Sequence, residues 1–550
     1  MIDKSRGLKN VVVSIFFKVI LLIASILVRR YLISYIGNEI NGLNSLYISI
    51  LDFLSVTELG VGSAITFCMY KPIVDGDNDK VSALYGLFTK LYLIIGGIIL
   101  VGGCAVMPAL PYIAKDYQTV NVNLYLTFAL MLVSVVLTYV YSSKTSLINA
   151  YKNNYITTLI SSLVAIIQYA LQIIVLIFTQ SFVWFLLCRI IAAIIQWGVT
   201  ELVARHKYGN IIRYKRKISK EEKSEVTKNI KAMFMHKIGG VLVNTADSLI
   251  ISAFIGIVVL GKYSNYLTIM TAMTGVLMLC FSPLTSVIGH MFVEQNKDEA
   301  QKYLNFFHTF NFVLGVIFFL GYYAVIDNLI TLLFSDGLEL AKTISFVITL
   351  NYFIQFMRQA VGLFVDATGT FYNSRWKPLF EGITNVGLSI LFVLIFPEEY
   401  NIVGVIVATI ITNILICHVV DPHVLYKYAL KLSAKNYYIQ NYLYIGIFTV
   451  ALTALHFAMI SNGSQWVELF ANGAISLAFS FVICATVILL DKNFRNYLIS
   501  ILKRLKRHKA ANTTVNSEST LVNAGVESNE NFTDLNAGES EVEDNQKTNP

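Results

Sequence analysis

Residues 156–204 read ITTLISSLVAIIQYALQIIVLIFTQSFVWFLLCRIIAAIIQWGVTELVA, two apolar runs with only Thr179 and Gln180 between them. A bilayer core of roughly 30 Å takes about 20 apolar residues per helix, so each run is long enough to cross once. Lipid offers the backbone no water, and uninterrupted runs of this length therefore read as helices and not as barrel strands.

The same pattern extends outward from Asn10 to Leu490. About fourteen spans are expected, at 11–35, 43–69, 83–106, 121–142, 156–178, 181–204, 232–255, 263–290, 304–326, 341–365, 378–396, 402–420, 440–460 and 467–490. A hydrophobic content of 56%, a charged content of 14% and a mean hydropathy of +0.63 leave a polytopic helical bundle as the class. The fold expected is all-α. The six cysteines are scattered through apolar spans without a C-x-x-C pair and read as small hydrophobes, so neither disulfides, metal nor cofactor is expected. The first run lacks a small-residue cleavage site and is too long for a signal peptide's apolar region, which makes it the first membrane helix.

Lysine and arginine set the orientation. With Lys4, Arg6 and Lys9 in the cytoplasm, the basic connections 205–231, 375–377, 427–435 and 492–509 fall on that side as well. The opposite connections hold only Lys115, Lys262 and Lys342, so both termini are expected inside. The net charge of +8 belongs to these stretches, next to membrane helices, where topology and anionic head groups explain it; no nucleic-acid partner is expected. Past Ala510 the composition turns to Asn, Ser, Thr, Glu and Asp, too polar to bury a core, and reads as disordered.

An internal repeat organises the rest. Ile36-Gly37, Gly42, Ser45 and Tyr47 recur as Ile255-Gly256, Gly261, Ser264 and Tyr266, 219 residues later and at the same junction between spans. Six spans separate the copies, an even number, so the halves share an orientation and are related by an axis along the membrane normal. The expected parts are an N-lobe of six helices (1–204), a basic linker (205–231), a C-lobe of six helices (232–422), two further helices (423–490) and a basic, then acidic, disordered tail (491–550).

Polar residues inside spans are costly and usually face a bundle interior, a cavity or a partner. In the first span Ser14, Lys18, Ser25 and Arg29 recur at helical spacing, with Lys18 and Arg29 about 20° apart around the axis. That cationic stripe suits an anionic substrate; snorkelling or pairing with Asp52 or Glu58, acids of the second span through which an ion gradient could also act, is the competing structural role, and Arg30 points away from the stripe. In the seventh span His236, Gly240, Asn244 and Asp247 share a face, giving a carboxylate able to bind a proton or cation. Asp247 could equally join helices by hydrogen bonding. Arg189 and Arg358 are further candidate substrate contacts, whereas Gln168, Gln172, Asn351 and Asn385 read as amides joining helices.

The run Arg29-Arg30-Tyr31-Leu32-Ile33-Ser34-Tyr35-Ile36-Gly37-Asn38-Glu39-Ile40-Asn41-Gly42-Leu43, followed by Asp52-Phe53-Leu54, Glu58-Leu59-Gly60-Val61-Gly62 and Tyr70-Lys71-Pro72, resembles the opening of bacterial polysaccharide exporters of the Wzx type. Asp247-Ser248-Leu249-Ile250-Ile251 with Tyr263-Ser264-Asn265-Tyr266 is similar to their second half. These exporters belong to the multidrug/oligosaccharidyl-lipid/polysaccharide superfamily. The resemblance implies a MATE-like fold of two six-helix lobes around a central cavity, in the bacterial cytoplasmic membrane. It implies flipping of an undecaprenyl-pyrophosphate-linked oligosaccharide for cell-surface polysaccharide, with Arg29 meeting the pyrophosphate, and with the glycan polymerase and chain-length machinery as partners.

Physical chemistry agrees. The polyprenyl tail of such a substrate can stay in the bilayer while its head needs a polar, cationic passage, and two lobes rocking about a midplane site provide one to each leaflet in turn. No Walker loop is present, and the external connections are too short for the catalytic loop expected of a membrane glycan polymerase or ligase. A multidrug exporter and a peptidoglycan-precursor flippase remain the alternatives; the Lys18 and Arg29 stripe disfavours the cationic substrates of the former.

Overall fold

Apolar sequence in lipid satisfies its backbone only within helices. In the computed structural model, which describes residues 4–55, 61–213, 218–219, 245–281, 288, 297–370, 373–500 and 503, the chain is helical nearly throughout and no strand occurs among the described residues. The order is α1 (Lys4–Ile36), α2 (Asn38–Leu54), α3 (Val61–Val74), α4 (Asn78–Val106), α5 (Leu124–Ala150), α6 (Asn154–Thr179), α7 (Phe182–Arg213), α8 (Thr245–Ile255), α9 (Ile257–Phe281), α10 (Lys297–Leu333), α11 (Lys342–Met357), α12 (Gln359–Thr368), α13 (Lys377–Ile395), α14 (Glu398–Leu430), α15 (Lys435–Ala458) and α16 (Gln465–Leu490).

Ten helices among the described residues are long and apolar enough to cross a bilayer: α1, α4 to α7, α10 and α13 to α16. They coincide with expected spans one, three to six, nine and eleven to fourteen. The other four expected spans are not single helices of this kind. The second is divided between α2 and α3, the tenth breaks at Arg358 between α11 and α12, the eighth corresponds to α9, and only the end of the seventh is described, as α8.

Two expected boundaries move. α7 continues through a non-helical Tyr208 (φ −128°) to Arg213, so Arg205, His206 and Lys207 lie on a helix instead of in a linker; the Tyr208 hydroxyl accepts a 2.7 Å hydrogen bond from Asn153 Nδ2. The basic stretch after Leu490 starts as a helix. Asp491 accepts from the Phe494 amide at 2.9 Å and caps a helix over 492–500, while 504–550 lie outside the described residues. The chain forms two compact units, 1–484 and 485–550, and the repeat and both lobes lie in the first.

The repeat is structural. Gly37 (φ +109°) ends α1 and Gly256 (φ +136°) ends α8, a backbone region that side chains other than glycine's rarely adopt. The helices that follow, α2 and α9, then cross at their paired glycines. A Cβ on Gly42 would stand 1.9 Å from the Ile257 carbonyl oxygen, and one on Gly261 would stand 2.4 Å from that of Asn38. Absence of side chains there lets the two backbones touch. The repeated tyrosines then pin each helix to its own lobe: Tyr47 donates to the Leu124 carbonyl at 2.9 Å and Tyr266 to Asp327 at 2.5 Å.

The segment after α4 closes over this crossing. Lys115 donates its amide to the Ser252 carbonyl and accepts from the Ile257 amide, both at 3.2 Å, while Ser252 Oγ donates to the Ile113 carbonyl at 2.8 Å. The last helix pair is anchored to the C-lobe through α15. Phe448 stacks on Phe353 at 3.6 Å between centroids, and Tyr444 on Phe312 at 4.1 Å.

Candidate functional site

Arg29 stands about two turns before the end of α1, where its side chain reaches from the N-lobe to the C-lobe. Its Nη1 donates to Ser264 Oγ at 2.9 Å and to Asn265 Oδ1 at 3.1 Å. Asn41 joins the same pair, donating to Asn265 Oδ1 at 3.0 Å and to the Gly261 carbonyl at 3.1 Å. The half-buried Arg29 keeps Nε and Nη2 without a hydrogen bond among the described residues, and the neighbouring Asn265 Nδ2 is buried and unpartnered. A free guanidinium edge and a free amide donor thus stand beside a permanent positive charge at the seam between the lobes, together with the Oδ1 acceptors of Asn38 and Asn41, buried and unpartnered among the described residues. Guanidinium edges of this kind take phosphate oxygens two at a time.

The second site lies inside the C-lobe. Asp247 on α8 is buried, and Thr409 Oγ1 of α14 lies 3.1 Å from each of its carboxylate oxygens as donor. Thr409 in turn accepts from Asn385 Nδ2 of α13 at 2.7 Å. Asn385 Oδ1 and Ser389 Oγ, one turn further along α13, are fully buried with no partner among the described residues. The buried carboxylate with its one hydroxyl partner, and the amide and hydroxyl oxygens left unpartnered on the neighbouring α13, are hard-oxygen donors. Unsatisfied oxygens at such a place are expensive unless a proton or cation completes them.

From this site a polar ladder runs along facing turns of α13 and α14. Asn413, one turn after Thr409, donates to the Thr409 carbonyl at 2.9 Å and accepts from Arg358 Nη1 at 2.7 Å. Arg358 meets Glu381 at 3.2 Å and Asp421 at 3.6 Å, and Lys377 meets Asp421 at 2.6 Å and Glu381 at 3.5 Å. Two cations and two carboxylates thus balance one another. A π-helical turn, Asn413–Cys417, opens α14 at this level and turns Asn413 towards Arg358.

The expected site residues therefore separate into groups. Arg29 is at the lobe seam. Arg189 on α7 is half-buried within electrostatic range of Tyr169 on α6 and of the exposed Asp52 on α2, all in the N-lobe. Arg358 is not joined to Arg29; Glu381 and Asp421 claim its charge, which places it beside the Asp247 site and takes it out of the set of free anion ligands. Lys18 is exposed on α1, and Ser25 donates to the Leu22 carbonyl at 2.8 Å. Arg30 is exposed and reaches the Leu332 carbonyl. Glu58, His236 and Asn244 lie outside the described residues. Thr409, Ser389, Glu381, Lys377 and Asp421 are partners that the sequence reading does not name; the four-residue spacing of Lys377, Glu381, Asn385 and Ser389 is a signal for the α13 members, whereas Thr409 and Asp421 on α14 join them only through packing.

On the outer flank, α15 and α16 enclose an apolar groove of about 920 Å³, floored by small residues such as Gly446, Ala451, Ala454 and Ala478 and flanked by Phe479.

No protein-family model matches the chain, and no curated protein matches it by sequence. Solved structures do match in fold. The lipid II flippase MurJ, in an inward closed conformation, aligns with a TM-score of 0.59 at 12% identity, covering 88% of this chain and all (100%) of that one. The Vibrio cholerae MATE transporter VcmN, in a point-mutant form, aligns with a TM-score of 0.53 at 13% identity, covering 77% of this chain and 97% of that one. The chain thus has the all-helical membrane-transporter fold that these proteins share.

Proposed function

We propose that this protein flips an undecaprenyl-pyrophosphate-linked oligosaccharide across the cytoplasmic membrane for cell-surface polysaccharide assembly, by alternating access coupled to a proton or monovalent cation at Asp247. It is read as a transporter and not an enzyme. The observation that carries the substrate class is Arg29: a fixed cation at the lobe seam, with half of its guanidinium unengaged and a spare amide donor beside it. A pyrophosphate satisfies those groups, and a cationic drug is repelled by them. The groove between α15 and α16 supports a lipid-linked substrate, because its apolar walls suit an isoprenoid chain that stays in the bilayer while the head passes between the lobes. Glycan polymerase and chain-length proteins are the partners this reading proposes.

A peptidoglycan-precursor flippase is the second reading. The fold match to the lipid II flippase favours it, and it would use the same polyprenyl-pyrophosphate chemistry. Binding of undecaprenyl pyrophosphate to the protein in nanodiscs tests what both share. Charge-assisted hydrogen bonds contribute about 1.5–3 kcal/mol, so Arg29→Ala should weaken binding by roughly 10- to 100-fold. Undecaprenol, which lacks the phosphates, should show no difference between the two proteins. Equal affinity of wild type and Arg29→Ala for the pyrophosphate would sink the assignment.

A further inference from the structure

Within the N-lobe, α5, α6 and α7 enclose a second cavity, of about 360 Å³, which Tyr92 of α4 closes. Its lining departs from the lobe around it. Every lining side chain is uncharged, and all but Tyr92, Tyr141 and Gln196 are Ser or Thr. The volume is at the small end of the range for ligand pockets, large enough for one or two sugar-sized groups.

The hydroxyls are not interchangeable. Thr138 donates to the Val135 carbonyl at 2.7 Å, Ser142 to that of Thr138 at 2.8 Å, and Ser161 to that of Thr158 at 3.1 Å. Hydroxyls tied back to their own helix have spent their hydrogen and present lone pairs to the cavity. Most of the wall therefore accepts hydrogen bonds. Donors come from the Gln196 amide, which no residue claims among those described, and from the hydroxyls of Thr158 and Thr200. Tyr141 and Tyr92 add ring surface.

That inventory selects a ligand by exclusion. A phosphate or carboxylate needs donors and positive charge, and among the described residues no cation lines the wall. A divalent metal in a lipid-embedded lobe needs a carboxylate, and among the described residues none lines it either. A neutral group with many hydroxyls fits: its O–H groups meet the ring of acceptors, its own oxygens take the few donors, and its C–H faces rest on tyrosine. We infer that this cavity is a binding site for a neutral sugar unit, holding one residue of the transported glycan inside the N-lobe. The inference rests on the proposed lipid-linked glycan substrate and supplies what the pyrophosphate site cannot, a means of telling one glycan from another.

Saturation-transfer difference NMR tests it directly. The full-length protein in nanodiscs is mixed with free glucose, galactose, N-acetylglucosamine, N-acetylgalactosamine and, as charged comparators, glucuronate and glucose 6-phosphate. At least one neutral sugar should show saturation at millimolar concentration, with the charged sugars weaker. Thr158→Val with Thr200→Val removes two hydroxyls and no volume, and should reduce the neutral-sugar signal at least fivefold; Gln196→Leu made separately should do the same. Gel filtration and thermal melting identify any variant that fails to fold, in which case the remaining variant decides. No saturation by any neutral sugar, or equal saturation in folded variants, overturns the site. Undecaprenyl pyrophosphate binding to the wild-type protein is measured alongside: binding there without sugar saturation removes this pocket and leaves the flippase reading standing, whereas sugar saturation without it supports the pocket and removes that reading.

Discussion

Asp247 and Arg29 are two charges of opposite sign held in different ways, and the difference divides their work. Arg29 keeps part of its fork free at the seam, where a ligand can reach it, whereas Asp247 is buried with the Thr409 hydroxyl on both its oxygens and suits something small and positive. Thr409 is the residue that distinguishes coupling from packing here, since its one hydroxyl bridges Asp247 and Asn385. Thr409→Val keeps the shape and removes that oxygen, a loss worth about 1–3 kcal/mol. The concentration of the driving ion giving half-maximal transport should therefore shift about tenfold or more, upward for a cation held by the Thr409 oxygen and downward for a proton, since the charged carboxylate loses a donor. An unchanged ion dependence in a folded Thr409→Val protein would show that the cluster is only structural. These two charges were legible in the sequence because nothing in an apolar helix tolerates them cheaply. Their companions were not. Thr409, Asn385 and Ser389 are individually common in membrane helices, and only the packing of α13 on α14 reveals them as one set. Glu381 lies inside an expected span, and the acids that claim Arg358 lie 23 and 63 residues further along the chain, beyond any helical period.

At the scale of elements, the decisive contact is the crossing of α2 and α9. Its pattern of glycine, serine and tyrosine was readable as a repeat, and the repeat located the junctions correctly, yet nothing in one-dimensional spacing says that the two copies touch each other. The structure shows them in contact through Gly42 and Gly261, with Asn38 Nδ2 donating to the Val258 carbonyl at 2.9 Å across the lobes. Periodicity likewise gave membrane-length helices but not the interruptions at Arg358 and in the π-turn of α14, which answer to tertiary partners. In a protein without native cysteines, Asn38→Cys paired with Val258→Cys should cross-link readily. Adding Gly42→Leu should abolish the link, because its Cβ cannot share space with the Ile257 carbonyl, whereas Gly86→Leu, with nothing within 4 Å of its Cβ, should leave it intact. Persistent cross-linking in Gly42→Leu would mean that the helices meet without needing the glycine.

For the whole molecule, the proposed function joins the seam and the Asp247 site in one cycle. Arg29 holds the lobes together through Ser264 and Asn265, so a pyrophosphate that competes for its guanidinium also loosens the seam. The Asp247 cluster lies among C-lobe helices, where an ion bound there would bias how α8, α13 and α14 pack. A ligand shifts a conformational equilibrium only by its differential affinity for the two states, and each site has unengaged groups that a ligand would take. Translocation of a fluorescent undecaprenyl-pyrophosphate oligosaccharide in proteoliposomes, under imposed proton or sodium gradients, is the measurement that reaches this account most directly. Wild type should move the lipid faster under one of the gradients, Arg29→Ala should not move it, and Asp247→Asn should move it at a rate that ignores the gradient. Transport by the wild type that ignores every gradient, or undiminished transport by Arg29→Ala, would contradict the account.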